Sequence, residues 1–402
     1  MYNKQIDKLT NYPFKRLDDL LSGINPPKNI TPNIMSIGEP QHPAPSIINE
    51  EINNCALLWN KYPPVKGTKE FRLSIQNWLL KRFNLPDVFI DPEKNILPLA
   101  GSREGLYMTG QLTIPKDKKG KKPVVLLPNP FYQVYLGSAL LSGAETIMLD
   151  LNKENNFQHP VHNLDNDILN RTSTLFICNP SNPQGSVASK KYLTELIFLA
   201  RKYNFILIAD ECYSEIYYNE PPTGLLEAAF DIGEGLKNIL IFNSLSKRSN
   251  APGLRSGFVV GDEILIDKFL KLRSHASAVQ PLPIMAVAKK LWEDEVHVIE
   301  SRNMYREKIY NACKIIGDSI SFEIPAGGFF LWLNVKNGTE LTKKLWKKAA
   351  IKVLPGKFLS TPDKYGISPG DEYIRVALVH DKEKTDTAIK KIVDIYMSSD
   401  TN

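Results

Sequence analysis

The chain is poor in cysteine: four residues among 402, at positions 55, 178, 212 and 313. None of them forms a C-x-x-C pair, and their scatter excludes a disulfide framework and argues against structural zinc. Such usage fits a reducing compartment, with Cys178 read as a small packing residue at the end of an apolar stretch. No apolar run reaches the roughly 18 residues of a membrane span, and the opening M-Y-N-K-Q-I-D-K-L-T lacks the apolar segment of a secretory signal. The expected location is the cytoplasm. A G-x-G-x-x-G or Walker-type loop is also missing, which argues against a Rossmann or P-loop nucleotide enzyme, and no internal repeat is visible. Excess charge of one sign is small, at +6. The basic run K-D-K-K-G-K-K (116–122) lacks the interleaved aromatics of a nucleic-acid stacking surface and reads as a solvated loop. Neither nucleic acid nor membrane is an expected partner.

What is present is an α/β pattern of ordinary globular composition, 43% hydrophobic and 23% charged, in a chain long enough for two domains. Short continuous apolar runs at 124–127, 174–178, 205–209, 238–242 and 257–260 read as strands buried on both faces of a largely parallel sheet. Helical patterns separate them, as at 190–203, and imply right-handed crossovers. Over 68–83 the spacing predicts a helix with Phe71, Ile75, Trp78, Leu79 and Phe83 on one face and Thr68 as its N-cap. After about 285 the pattern changes to a long helix at 295–316, strands at 329–333 and 373–379, and helices at 340–350 and 382–397. The expected division is a large domain over 46–285 and a smaller α+β domain built from 1–45 and 286–402.

In such sheets ligands bind beyond the carboxyl ends of the strands. Asn179 follows one expected strand, Asp210 a second and Ser244 a third, so three segments converge on one edge: N-P-S-N-P-Q-G (179–185), A-D-E-C-Y (209–213) and S-L-S-K-R-S-N-A-P-G-L-R-S-G (244–257). Each has a plain structural reading alone. A lysine is usually surface charge, Asp210 can cap a turn, Asn-Pro-Gly runs are turns, and Tyr213 can be an ordinary buried tyrosine. Together they supply the set that pyridoxal 5'-phosphate (PLP) needs: an amine (Lys247), an acid for the ring nitrogen (Asp210), donors to the ring oxygen (Asn182, Tyr213), and cations and hydroxyls for the phosphate (Arg255, Ser244, Ser246). In A-G-S-R-E-G (100–105), Gly101 and Ser102 precede a helix starting near Arg103, a further candidate phosphate cradle. Arg375, in the strand Y-I-R-V-A-L-V, is a surface arginine or a bidentate fork for a substrate carboxylate.

These motifs, with A-G-G-F-F-L-W (326–332), resemble those of the fold-type I, class I/II PLP-dependent aminotransferases across nearly the whole chain. The resemblance implies a large domain with a mostly parallel seven-stranded sheet and a smaller α+β domain. It also implies that Lys247 forms the Schiff base and moves the proton, with Asp210 on the ring nitrogen and Asn182 and Tyr213 on the ring oxygen. Ser102, Ser244 and Arg255 would bind the phosphate. Tyr132, in P-N-P-F-Y, would stack on the ring where many relatives have Trp, and Gln184 stands where many have Thr. Gly38 would line the substrate pocket, Arg375 would hold the α-carboxylate, and Tyr62 would reach the phosphate of a neighbouring subunit, making a homodimer part of the site.

A narrower resemblance lies in S-I-G-E-P-Q-H-P-A-P, D-E-C-Y-S-E-I-Y and S-L-S-K-R-S-N-A-P-G-L-R-S-G-F, which are similar to the proteobacterial succinyldiaminopimelate aminotransferases of lysine and diaminopimelate biosynthesis. It implies ping-pong transfer between glutamate and N-succinyl-2-amino-6-oxopimelate. Arg103, Lys66, Arg273 and His275 are candidate cations for a distal carboxylate. The rivals are an aminotransferase for aspartate, aromatic or other amino acids, a PLP-dependent β-lyase, and a non-enzymatic ligand sensor. The last is disfavoured because no helix-turn-helix segment is legible at the N-terminus.

Overall fold

The computed structural model describes residues 1–276 and 278–400. Seven strands form the large sheet: β1 (Ile96–Leu99), β2 (Val124–Asn129), β3 (Glu145–Asp150), β4 (Thr172–Cys178), β5 (Ile206–Asp210), β6 (Ile239–Ser244) and β7 (Gly257–Gly261). Their order is β1-β7-β6-β5-β4-β2-β3. All neighbours are parallel except β7, which is antiparallel to both β6 and β1.

The central strands carry continuous apolar runs because helices cover both faces; β2, β6 and β7 are buried at every position. The two edge strands are the ones the apolar-run criterion leaves out. Pro98 interrupts β1, which an edge position tolerates because the strand presents one free side. β3 is half-exposed and carries Glu145, Thr146 and Asp150.

The helix Lys69–Arg82 forms as its spacing predicts. The Thr68 hydroxyl accepts from the Phe71 N–H at 3.3 Å, and Phe71, Ile75, Trp78 and Leu79 are buried. Trp78 packs on Trp292 with ring centroids 4.6 Å apart. Trp292 belongs to the helix Leu282–Glu293, whose Met285, Val287, Ala288 and Leu291 join the core on this side of the large sheet. That helix therefore runs through the position 285/286.

A second sheet is antiparallel: β8 (Ser321–Phe322), β9 (Phe330–Asn334), β10 (Leu354–Pro355) and β11 (Tyr373–Ala377), in the order β10-β11-β9-β8. The helices Val296–Ile316 and Lys382–Asp400 pack together, burying Tyr305, Ile309, Ile389 and Ile392 in a core shared with β9 and β11. The N-terminal helix Pro13–Leu21 closes the other side, with Leu17 and Leu21 against Trp332, Leu354 and Phe358. Among the described residues no helix is long and apolar enough to cross a membrane.

Candidate active site

β4, β5 and β6 end at one edge of the large sheet, and the residues found there follow from that register. Cys178 pairs with Asp210, and Asp210 with Phe242, so Asn179, Asp210 and Ser244 sit at nearly one level. The chain leaving β6 turns into the short helix Leu245–Arg248. The Ser244 hydroxyl caps it, accepting from the Ser246 N–H at 3.1 Å. Lys247 lies on this turn. Above the edge is a cavity of about 470 Å³ whose walls include Lys247, Asp210, Tyr213, Asn182, Tyr132 and Arg375.

Asp210 is only 6% exposed. Its Oδ2 accepts from the Tyr135 hydroxyl at 2.7 Å and its Oδ1 from the Cys212 N–H at 3.3 Å. Burial raises its pKa above the ordinary carboxylate value, and these hydrogen bonds oppose the rise. Lys247 donates from Nζ to the carbonyl of Gly38, and the amine stands 5.5 Å from the centroid of the Phe329 ring. Burial lowers its pKa to about 8, with Arg375 and Arg255 contributing in the same direction. Tyr213 is buried between Phe329 and Phe330, with centroids at 5.6 and 5.8 Å, and burial pushes its phenol pKa well up. It stays a neutral donor.

Arg375 is buried on β11, between Trp332 of β9 and Leu354 of β10 in the register. Nη1 donates to Asn182 Oδ1 at 3.0 Å and Nη2 to the Ser36 carbonyl at 2.8 Å. Its Cζ lies 4.3 Å from the Phe330 centroid, and Nε has no hydrogen-bond partner among the described residues. Burial lowers its pKa to about 10, which still leaves it charged at neutral pH. Two neutral acceptors do not compensate a buried guanidinium, so the group suits an incoming carboxylate. Because Asn182 turns its oxygen to Arg375, its Nδ2 is the donor it offers elsewhere.

A second cluster surrounds the N-terminus of the helix Ser102–Thr113. Gly101 is its N-cap at φ +83°, and a Cβ there would lie 2.4 Å from Arg255 Nη2. Only glycine permits both the backbone and the close approach. Arg255, itself at φ +53°, donates to the carbonyls of Pro252 and Ala100 at 2.8 and 3.4 Å. The hydroxyls of Ser244 and Ser246 are 2.9 Å apart, and Ser102 Oγ accepts from the Cys212 thiol at 3.1 Å. A helix N-terminus, a guanidinium and three hydroxyls make a cradle for a dianion. Tyr132 completes this side, with its ring edge-on to Tyr135 at 5.6 Å and its hydroxyl accepting from Arg103 Nε at 2.9 Å.

The donor set fits PLP. Asp210 would face the ring nitrogen, Asn182 and Tyr213 the ring oxygen, and the Gly101–Ser102–Ser244–Ser246–Arg255 cradle the phosphate, with the amine of Lys247 within the same cavity. Two sequence-derived assignments do not gather here. Tyr62 is fully exposed and lies outside the cavity of its own chain. Of the four candidate distal cations, Arg103 alone lines the cavity. Lys66 is bound by Glu93 at 2.8 Å, Arg273 is buried against Glu104 at 3.3 Å, and His275 is exposed near the end of the helix Glu263–Ala276. Sequence proximity to pocket motifs is a poor guide, because Lys66 and Arg273 are taken up by ion pairs and His275 is exposed outside the cavity.

Two contributors escaped the sequence reading. Tyr135, one helical turn beyond Tyr132, supplies the buried hydrogen bond to Asp210. Tyr12, from the N-terminal segment, lines the cavity and accepts from Arg103 Nη2 at 2.6 Å.

Residues 32–392 match the family model "Aminotransferase class I and II". The chain belongs to this family. It is 30% identical to the LL-diaminopimelate aminotransferase of Maridesulfovibrio salexigens over 375 residues, covering 89% of this chain and 90% of the relative. A crystal structure of an aminotransferase from Neisseria meningitidis superposes with a TM-score of 0.93 at 38% identity, covering 98% of this chain and all of that one. Aminotransferase AspB from Helicobacter pylori superposes with a TM-score of 0.88 at 33% identity, covering 96% and 99%. The protein is a PLP-dependent aminotransferase of α/β fold type I. Bound PLP supplies a carbonyl carbon that takes the amino group and a protonated ring that delocalises the electrons of a broken Cα–H bond.

Proposed function

We propose that the enzyme transfers the amino group of glutamate to N-succinyl-2-amino-6-oxopimelate, giving N-succinyl-L,L-2,6-diaminopimelate, in two half-reactions on one site. In this reading Lys247 would hold the cofactor, and its amine would move the proton at the substrate Cα. Its depressed pKa supports this, because about a tenth of an amine with a pKa near 8 is neutral at pH 7. Arg375 holds the α-carboxylate, and Gly38 leaves room beside it: a Cβ there would lie 2.6 Å from Phe330 Cζ. Asp210, Asn182 and Tyr213 hold the ring.

The observation that carries the substrate choice is the charge of the cavity wall. Among the described lining residues Lys247, Arg255 and Arg375 are assigned to the cofactor and the α-carboxylate, which leaves Arg103 as the cation for the far end, and the one carboxylate is Asp210, already engaged by Tyr135 at the ring end. The succinylated substrate presents an amide and two carboxylates at its far end. Unmodified L,L-diaminopimelate, the substrate named in the LL-diaminopimelate relatives, presents an ammonium there and would want an acid. Those names are the argument for the second reading. The test is amino transfer to 2-oxoglutarate from each donor. The succinylated donor is expected to be better in kcat/KM by at least about 100-fold, the scale on which an unmatched polar group is rejected. Preference for the free diamine would replace this reading with the second.

We also propose a homodimer in which Tyr62 reaches the phosphate cradle of the partner. Leu57, Trp59 and Tyr62 form an exposed apolar segment, at 88, 53 and 101% exposure, which a subunit contact would cover.

A further inference from the structure

The run S-K-R-S-N marks the chain in sequence, yet of its five residues the cavity is lined only by Ser246 and Lys247. The three residues after Lys247 point away from the cavity and converge on one place. That place is the break at Asp294–Glu295 between the helix Leu282–Glu293, whose side chains join the large-sheet core, and the helix Val296–Ile316, whose side chains join the second core. The Arg248 side chain is fully buried. It donates to the Leu291 carbonyl at 2.5 Å and the Asp294 carbonyl at 3.3 Å, and pairs with Glu295 at 2.6 Å. Its guanidinium also lies 4.8 Å from the Trp292 ring centroid. The Ser249 hydroxyl is 2.8 Å from His297 Nε2, and His297 is held in turn by Asp294 through Nδ1. Asn250, at φ +48°, donates to the Ser301 hydroxyl at 3.2 Å.

The helix Val296–Ile316 also contacts the segment that follows Gly38. The buried amine of its Lys308 donates to the carbonyls of Leu378 and His380 and lies 2.8 Å from His42 Nε2. His42 lies four residues after Gly38, whose carbonyl receives the Lys247 amine. One 21-residue helix thus touches both the segment that follows Lys247 and the segment that follows Gly38, and shares its core with β11, the strand of Arg375.

We propose that Arg248, Ser249 and Asn250 are positioning residues: they clasp the junction of the two helices so that a carboxylate bound at Arg375 is transmitted through the helix Val296–Ile316 to the placement of the Lys247 amine. A mere packing role would lower stability alone. A positioning role also makes the lysine insensitive to ligand when the clasp is cut from either end.

The test uses the PLP-loaded full chain and the variants Asn250→Gly, which keeps the left-handed backbone accessible, and Ser301→Ala, which removes the partner from the helix side. Stopped-flow absorbance follows a single turnover with glutamate. A separate titration follows the pH-dependent absorbance of the lysine-linked cofactor with and without glutarate, a dicarboxylate with no amine to react. Asn250→Gly and Ser301→Ala are each expected to slow the single turnover about tenfold or more, with donor KM within about threefold of wild type. They should also lose the glutarate-induced shift, and combining them should add little further loss. Wild-type turnover and a wild-type glutarate shift in both variants, whatever their melting temperatures, would overturn the proposal. The inference rests on glutamate as donor; a wild-type enzyme that fails to turn over glutamate indicts that reading, whereas variants that match a working wild type indict the clasp.

Discussion

Tyr135 and Asp210, brought together from the helix Gln133–Leu141 and the end of β5, share a buried hydrogen bond of 2.7 Å from the phenol to the carboxylate. Burial raises the Asp210 pKa, and this bond counters the rise by favouring the charged form. A charged Asp210 is what a protonated ring nitrogen requires. Tyr135→Phe removes the donor without changing the ring stack on Phe176 at 4.8 Å. A hydrogen bond to a charged group contributes about 1.5–3 kcal/mol, so the expected result is cofactor affinity weakened about 10- to 100-fold, measured by PLP titration of the apoenzyme. Unchanged affinity would show that Asp210 does not depend on Tyr135.

Lys247 gives a pH signature in the apoenzyme. Its folded pKa, about 8, lies below the ordinary lysine value of 10.5. Below pH 8 the amine is charged in both folded and unfolded states, and the folded state bears the full cost of burying it. As pH rises from 8 to 10.5 the folded chain has already lost the proton while the unfolded chain still binds it and loses it progressively, so the cost fades. Lys247→Met apoenzyme should therefore melt higher than wild-type apoenzyme at pH 7, and the gap should close above pH 10.5. A gap independent of pH would contradict the burial of the amine. In the loaded enzyme Lys247→Ala should lose nearly all turnover, and retention of more than about a tenth would remove it from the proton-transfer role.

Tyr62 tests the shared site. Tyr62→Phe and Lys247→Ala homodimers should each be impaired. When they are mixed, unfolded and refolded together, one site in each mixed dimer would draw a wild-type Lys247 from one chain and a wild-type Tyr62 from the other. Activity above that of either parent is the expected outcome. No recovery in a demonstrated mixed dimer would mean that Tyr62 serves no partner.

The convergence of Asn179, Asp210 and Ser244 on one edge of the large sheet was legible in sequence for a physical reason. Interior strands of a covered parallel sheet are continuous apolar runs, so the polar residue that ends each run marks the ligand edge. Edge strands lack that signature, and β1, with Pro98, and β3, with its exposed face, are invisible to it. Arg375 was legible only as one of two alternatives, because a charged residue in a strand carries no mark of burial; its depth follows from the neighbours Trp332 and Leu354 on the adjoining strands. Tyr135 and Tyr12 were illegible because their roles depend on contacts across 75 and 91 residues. Lys66 and Arg273 show the reverse error: their partners, Glu93 and Glu104, lie 27 and 169 residues away and take them out of the cavity.

The central claim is met most directly by a single turnover in the absence of any 2-oxo acid. PLP-loaded enzyme is mixed with N-succinyl-L,L-diaminopimelate, and in parallel with L,L-diaminopimelate, glutamate and aspartate, while the cofactor absorbance is followed. The account predicts stoichiometric conversion to the pyridoxamine form with the succinylated compound and with glutamate, reversed by 2-oxoglutarate. Conversion by L,L-diaminopimelate or aspartate, with none by the succinylated compound, would contradict it.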